Sequence, residues 1–164
     1  MQQKDLLISY FELDSAEELL PDERNLLNIA TDSLKSAYVP YSHYKVGSAV
    51  LLENGVIVTG SNQENMAFPS GLCAERVALF AAASNHPGIK IKSIAITAQS
   101  EDFPVKEPVS PCGSCRQAMI EYETNQGKPI QLILGCETGR TLLVRKVGDL
   151  LPLSFKEDML KKKL

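Results

Sequence analysis

The 164-residue chain is 44% hydrophobic with 10 Gly and 9 Pro, enough apolar material for one domain with its own core and nothing that marks a second. A formal charge of -3 argues against a polyanionic partner, because nucleic-acid binding needs clustered Lys and Arg, and a small uncharged partner fits better. The opening MQQKDLLISYFELD lacks a secretory pattern and the longest apolar run, VALFAAA, falls short of the ~20 residues of a membrane span, so a cytoplasmic chain outside the membrane is expected.

Residues 1–20 read as a weakly patterned N-terminal extension, followed by a single domain over 21–164. PDERNLLNIATDSLKSA places Leu26, Leu27, Ala30, Leu34 and Ala37 on one face, which predicts a helix over 21–37 opened by Pro21, Asp22 and Glu23. KVGSAVLLENGVIVTG pairs two β-rich runs across Asn54-Gly55 and predicts a hairpin. CAERVALFAAAS reads as a helix stopped by His86-Pro87-Gly88, and KIKSIAITA over 90–98 as a strand. CRQAMIEYE, behind Pro111, predicts another helix, with strands at 129–135 and 141–147. The closing KEDMLKKKL reads as a solvated tail. Five strands among three helices, including two strand-helix-strand units, predict a three-layer α/β fold.

Two cysteine clusters fall at predicted helix starts, Cys73 in SGLCAER and Cys112 with Cys115 in PCGSCRQ. Helix N-termini favour thiolates. A redox pair, two buried core thiols and a metal site are all compatible with the CGSC spacing, although a structural disulfide is unexpected in a reducing compartment. The metal reading uses all three cysteines, and three protein ligands rather than four distinguish a catalytic zinc from a structural one. Cys136, beyond a predicted strand with no partner at ligand spacing, reads as a free thiol. Glu75 stands two residues after Cys73, and residues two apart on a helix diverge by ~200°, so both could face one ion only at a frayed first turn. A lone first-turn Glu is otherwise a dipole partner in water.

CAE at 73–75 with PCGSCRQ at 111–117 resembles the zinc signature of cytidine deaminases that act on free nucleosides. AYVPYSHYKVGSAVL at 37–51, NQEN at 62–65 and DLLPLSF at 149–155 match that family in order and spacing, so the similarity covers most of residues 21–155. It implies a three-layer α-β-α fold on a mixed five-stranded sheet, and hydrolytic deamination of cytidine and 2′-deoxycytidine by a zinc-activated water in pyrimidine salvage. One Zn2+ per chain would be held by Cys73, Cys112 and Cys115, with Glu75 as the proton shuttle and Arg76 donating hydrogen bonds to the sulfurs. The resemblance further implies that Asn62 and Glu64 bind the sugar hydroxyl, that the Ala74 amide meets the pyrimidine carbonyl and that Tyr44 lies beside the ring. Phe155 would reach a neighbouring subunit's site in a homotetramer, as in the short-chain members.

The chain departs from the pattern at Tyr44, where the family usually has Phe, and at Phe68, where Tyr is frequent. The segment EDFPVKEPVS before Pro111 is longer than usual. Three other functions compete. A deaminase of a cytosine-containing antibiotic such as blasticidin S shares the zinc signature, but NQEN and LLPLSF favour the nucleoside. A non-catalytic zinc module would use Cys136 as a fourth ligand. Polynucleotide editing is disfavoured by the charge and by Cys73, where those enzymes generally carry His.

Overall fold

The structure is a computed structural model and describes residues 1–156. The solvated-tail reading lies outside the described residues except for Lys156. The regular elements are β1 (Phe11–Leu13), α1 (Pro21–Ser33), β2 (Tyr44–Leu52), β3 (Ile57–Ser61), α2 (Ala74–Asn85), β4 (Ile91–Ser100), α3 (Gly113–Gln126), β5 (Gln131–Leu134) and β6 (Thr141–Val144). They form a three-layer α/β fold around one mixed sheet of order β1-β6-β5-β4-β2-β3, parallel between β4 and β5 and antiparallel at every other pair.

The sheet has six strands, not the expected five. The sixth, β1, comes from the segment read as an extension, where Phe11, Glu12 and Leu13 pair with Leu143, Leu142 and Thr141. No alternating pattern announces this strand. It is held by tertiary contacts: the Arg145 guanidinium lies 4.7 Å from the centre of the Phe11 ring, and Arg140 pairs with Glu12 at 2.8 Å.

Asn54-Gly55 does turn the β2–β3 hairpin. Gly55 has φ +85°, a conformation costly for any residue with a Cβ, and its amide donates to the Leu52 carbonyl at 3.0 Å. The two strand-helix-strand units differ. β4 and β5 are direct neighbours, whereas β2, antiparallel to both β3 and β4, lies between the strands that α2 connects.

Alternation along the strands sorts the core into two layers. Ala49, Ala95 and Ile133 face Leu26, Leu27 and Ala30 of α1, while Val50, Ile94, Ile96, Leu132 and Leu134 face Ala78, Leu79 and Ala82 of α2 with Met119 and Ile120 of α3. α1 ends earlier than its apolar spacing predicts, because Ser33 turns its hydroxyl to the Ala30 carbonyl at 2.6 Å and the Gly60 carbonyl at 3.1 Å. Residues Leu34–Ser36 then tighten into a 3-10 turn. With α2 and α3 on the same face of the sheet, their N-termini can meet.

Candidate active site

Cys73 and Cys112 are the N-cap residues of α2 and α3, and both have extended backbone, at φ -70° and ψ 150° and at φ -66° and ψ 166°. Neither thiol caps its helix, so both sulfurs are free to face elsewhere. Because Cys73 stands just outside the helix, the ~200° divergence between residues two apart does not apply to it and Glu75. That geometry removes the objection raised by periodicity alone.

The α2 N-terminus is seated by backbone contact. A Cβ on Gly60 of β3 would lie 2.4 Å from the Ala78 nitrogen and 2.7 Å from the Ala74 carbonyl oxygen, so only glycine lets the helix approach this closely. The approach to the helix is fixed as well, since Leu72 and Gln63 exchange backbone hydrogen bonds of 2.9 Å in both directions. In α3, the Arg116 amide donates to the Cys112 carbonyl at 2.9 Å and closes the first turn, which brings Cys115 beneath Cys112.

The Cys112 and Cys115 sulfurs are 3.4 Å apart and the Cys73 and Cys112 sulfurs 3.9 Å, with all three within 4.8 Å of one another. Tetrahedral zinc with bonds of ~2.3 Å sets its sulfur ligands about 3.8 Å apart, so the spacing suits three thiolates on one zinc. A redox pair would leave the third sulfur without a role. Cys136 stands apart from this cluster, donating toward the Thr138 and Arg140 carbonyls at 3.4 Å each, and burial pushes its thiol pKa up.

Hydrogen bonding from Cys115, with help from Arg76, draws the Cys73 thiol down to about 5, while the shared interaction and burial push Cys115 up. Arg76 Nη2 donates toward Cys73 Sγ at 4.0 Å, and its buried Nε has no acceptor among the described residues. A guanidinium so placed offsets negative charge on sulfur. Glu75 is 95% buried from its 5% exposure, and desolvation raises its carboxyl pKa, with the charge on Cys73 adding to the rise.

Cys73, Glu75 and Cys112 line a cavity of about 530 Å3. Asn62 and Glu64 line it too. Asn62 Oδ1 accepts from the Val46 amide and Nδ2 donates to the Tyr44 carbonyl, both at 2.8 Å, leaving one amide hydrogen for another acceptor. Glu64 Oε2 accepts from the Tyr41 and Ser42 amides at 3.0 and 3.3 Å, and hydrogen bonding at Ser42 leads the causes that hold its pKa below the usual carboxylate range. Asn62 therefore braces the start of β2 and Glu64 the loop before it, while both reach the cavity.

The remaining candidates are less central. Ala74 is fully buried as the first residue of α2, where an amide has no acceptor within its helix. Tyr44 is not among the wall residues; its ring lies 6.1 Å from that of Phe103, and burial raises its phenol pKa. Phe155 is also outside the wall and 69% exposed, its carbonyl accepting from Gln117 Nε2 at 3.1 Å. Phe68 does line the cavity, edge-on to Tyr41 with ring centres 5.8 Å apart. Tyr41, Leu72, Val109 and Ser110 complete parts of the wall that residue-level reasoning missed. Position could have signalled them, since Leu72 directly precedes Cys73, Val109 and Ser110 precede Pro111-Cys112, and Tyr41 lies within the 37–51 segment.

A thiol triad spaced for zinc at two helix N-termini, with a buried carboxylate beside it on a three-layer α/β fold, is the arrangement that zinc-dependent deaminases use. Comparison with known proteins gives the family. The chain belongs to the cytidine and deoxycytidylate deaminase family, whose zinc-binding region model matches residues 21–127. It is 41% identical over 112 residues to a cytidine deaminase of Sporosarcina psychrophila, covering 68% of this chain and 76% of that one. To a cytidine deaminase of Mycobacterium tuberculosis it is 32% identical over 126 residues, covering 77% and 84%. The crystal structure of a cytidine deaminase from Burkholderia pseudomallei superposes with a TM-score of 0.69 at 34% identity, covering 80% of this chain and 97% of that chain. The protein is accordingly an enzyme, a hydrolase that removes an amino group. Among the described residues no helix is long and apolar enough to cross a membrane.

Proposed function

We propose that the enzyme converts cytidine and 2′-deoxycytidine to uridine and 2′-deoxyuridine, with one zinc per chain held by Cys73, Cys112 and Cys115 and with Glu75 as the proton carrier. The observation that carries this reading is the buried Glu75 carboxylate in the same cavity wall as the Cys73 and Cys112 thiols. Zinc, when bound there, supplies the Lewis acidity that makes water a competent nucleophile at neutral pH. Glu75 would take one proton from the attacking water and deliver it to the ring nitrogen beside the reacting carbon, then take the second proton from the hydroxyl so added and give it to the amino group, which departs as ammonia. One water enters and one ammonia leaves. The same carboxylate serves in both directions, and burial, by raising its pKa above the ordinary carboxylate value, makes its protonated form easier to reach.

Ala74 donates its amide to the pyrimidine carbonyl. Asn62 and Glu64 receive the sugar hydroxyl, and Tyr41 and Phe68 close over the apolar part of the ligand. Arg76 moderates the charge that three thiolates place on one divalent ion. The exposed Phe155 serves the site of a neighbouring copy in a homotetramer, and the setting is pyrimidine salvage in the cytoplasm.

The test is direct incubation of purified enzyme with cytidine, following uridine and ammonia. Glu75→Gln is expected to keep its fold and zinc and to lose about 10²- to 10⁴-fold in turnover, the range for a positioned acid-base group. Near-parental turnover in that variant would remove Glu75 from the mechanism. Free cytosine is expected to react ~10⁴-fold less efficiently than cytidine, because it leaves Asn62 and Glu64 unpaired. Equal efficiency would refute their role at the sugar.

A further inference from the structure

The PCGSCRQ segment contains an arginine that none of the chemistry above uses. Arg116 is half-buried and follows the ligand-bearing Cys115. Its Nε donates to the Pro111 carbonyl at 2.8 Å and its Nη1 donates to the Leu150 carbonyl, also at 2.8 Å. Pro111 immediately precedes Cys112. Leu150 begins the stretch that leads to Phe155.

Neighbouring side chains of α3 hold the same C-terminal stretch. Glu123 Oε2 accepts from the Val147 amide and Oε1 from the Gly148 amide, both at 2.9 Å, and Gln117 Nε2 reaches the Phe155 carbonyl at 3.1 Å. Three residues of one helix thus lay residues 147–155 along it. Only Arg116 also grips the peptide that aims Cys112. A planar guanidinium with donors in a fixed fork suits two carbonyls that must keep one relative position, which a single ammonium donor cannot do.

We infer that Arg116 is a positioning residue that couples the Cys112 end of the metal site to the C-terminal segment 147–155, so that ordering either one orders the other. The inference rests on the reading of Cys73, Cys112 and Cys115 as zinc ligands. It goes further in making metal retention depend on a segment that contributes no ligand. Such coupling is reciprocal: whatever zinc does to the segment, the segment does to zinc.

Hydrogen exchange tests this on the full chain. Peptides spanning 147–155 are followed by mass spectrometry in the zinc-loaded and chelator-stripped protein, for the parent and for Arg116→Gln and Arg116→Lys. Zinc release to a chromogenic chelator is timed alongside. In the parent, removing zinc is expected to speed exchange in 147–155. In Arg116→Gln the segment exchanges fast with or without zinc, and zinc leaves about 10-fold faster, at the low end of effects from groups that orient metal ligands. Arg116→Lys, which keeps the charge and can reach one carbonyl, falls between them.

If the parent binds no zinc, the ligand reading itself fails. If it binds zinc but exchange in 147–155 ignores the metal, or if Arg116→Gln still responds as the parent does, the coupling is overturned. A purely stabilising role for Arg116 would lower the melting temperature while leaving the zinc response of the segment intact. Should Arg116→Gln fail to fold, Arg116→Lys carries the same comparison, and a parental zinc response with parental zinc release would then overturn the inference.

Discussion

The N-termini of α2 and α3 present the same device, a cysteine in the N-cap position with its thiol turned away from the helix, yet they are held in place by different means. α2 is seated by backbone against backbone, at a glycine of the adjacent strand. α3 is held by side chains, with Arg116 on Pro111 and Leu150 and with Glu123 on Val147 and Gly148. Their exposure differs accordingly. Cys73 is half-buried and Cys112 exposed, while Cys115, one turn into α3, is fully buried. The half of the site that carries Glu75 is the one seated by direct backbone contact. The other half is held through side chains that bond loop carbonyls and amides.

Glycine substitutions separate the two regimes. Gly60→Ala forces a methyl group into the Ala74 and Ala78 backbone, so α2 must move or the strand must bend. Overpacking of this kind costs about 1–3 kcal/mol, and a displacement of ~1 Å at Glu75 is worth about 100-fold in rate. The expected outcome is a lower melting temperature together with a loss of turnover of that order. Parental activity would show that the close seat of α2 is not what positions Glu75.

Arg76→Ala is expected to have the next largest effect, weakening zinc retention about 10- to 100-fold and lowering activity with it, because it removes the donor facing Cys73. Zinc titration against a competing chelator measures this. Unchanged zinc affinity and turnover would reduce Arg76 to packing.

Gly113→Ala gives the smallest effect and the opposite sign. A Cβ there meets nothing within 4 Å, and its φ lies outside the left-handed region. Alanine should therefore raise stability by about 0.5 kcal/mol through the unfolded chain, with activity unchanged. A thermal melt reads the difference. Destabilisation at Gly113 equal to that at Gly60 would erase the contrast between the two helix starts.

Local signals account for much of what could be read from the residues alone. Asn54-Gly55 located the hairpin, and Pro21 with its acidic neighbours located the start of α1, because turn and cap chemistry depends on a few adjacent residues. The end of α1 was misjudged, since Ser33 answers to Gly60, a residue distant in sequence. β1 was missed for the same reason, as its pairing and its Arg145 and Arg140 contacts all come from the far end of the chain.

Cysteine spacing and the family signature pointed to the cluster, while the geometry at Cys73 came only from its extended backbone. The cavity wall was the least legible part. Tyr41, Leu72 and Val109 come from three separate loops, and nothing in their spacing says that they meet. Asn62 does two things at once: its side chain ties down Tyr44 and Val46 of β2, far from it in sequence, and it also lines the cavity.

The most direct measurement is zinc per chain in the parent, in Cys136→Ser and in Cys73→Ser, with circular dichroism confirming that each is folded. One zinc per chain in the parent and in Cys136→Ser, with loss in Cys73→Ser, is the predicted result. Loss of zinc from Cys136→Ser, or full retention by Cys73→Ser, would contradict a three-thiolate site built by two helix N-termini.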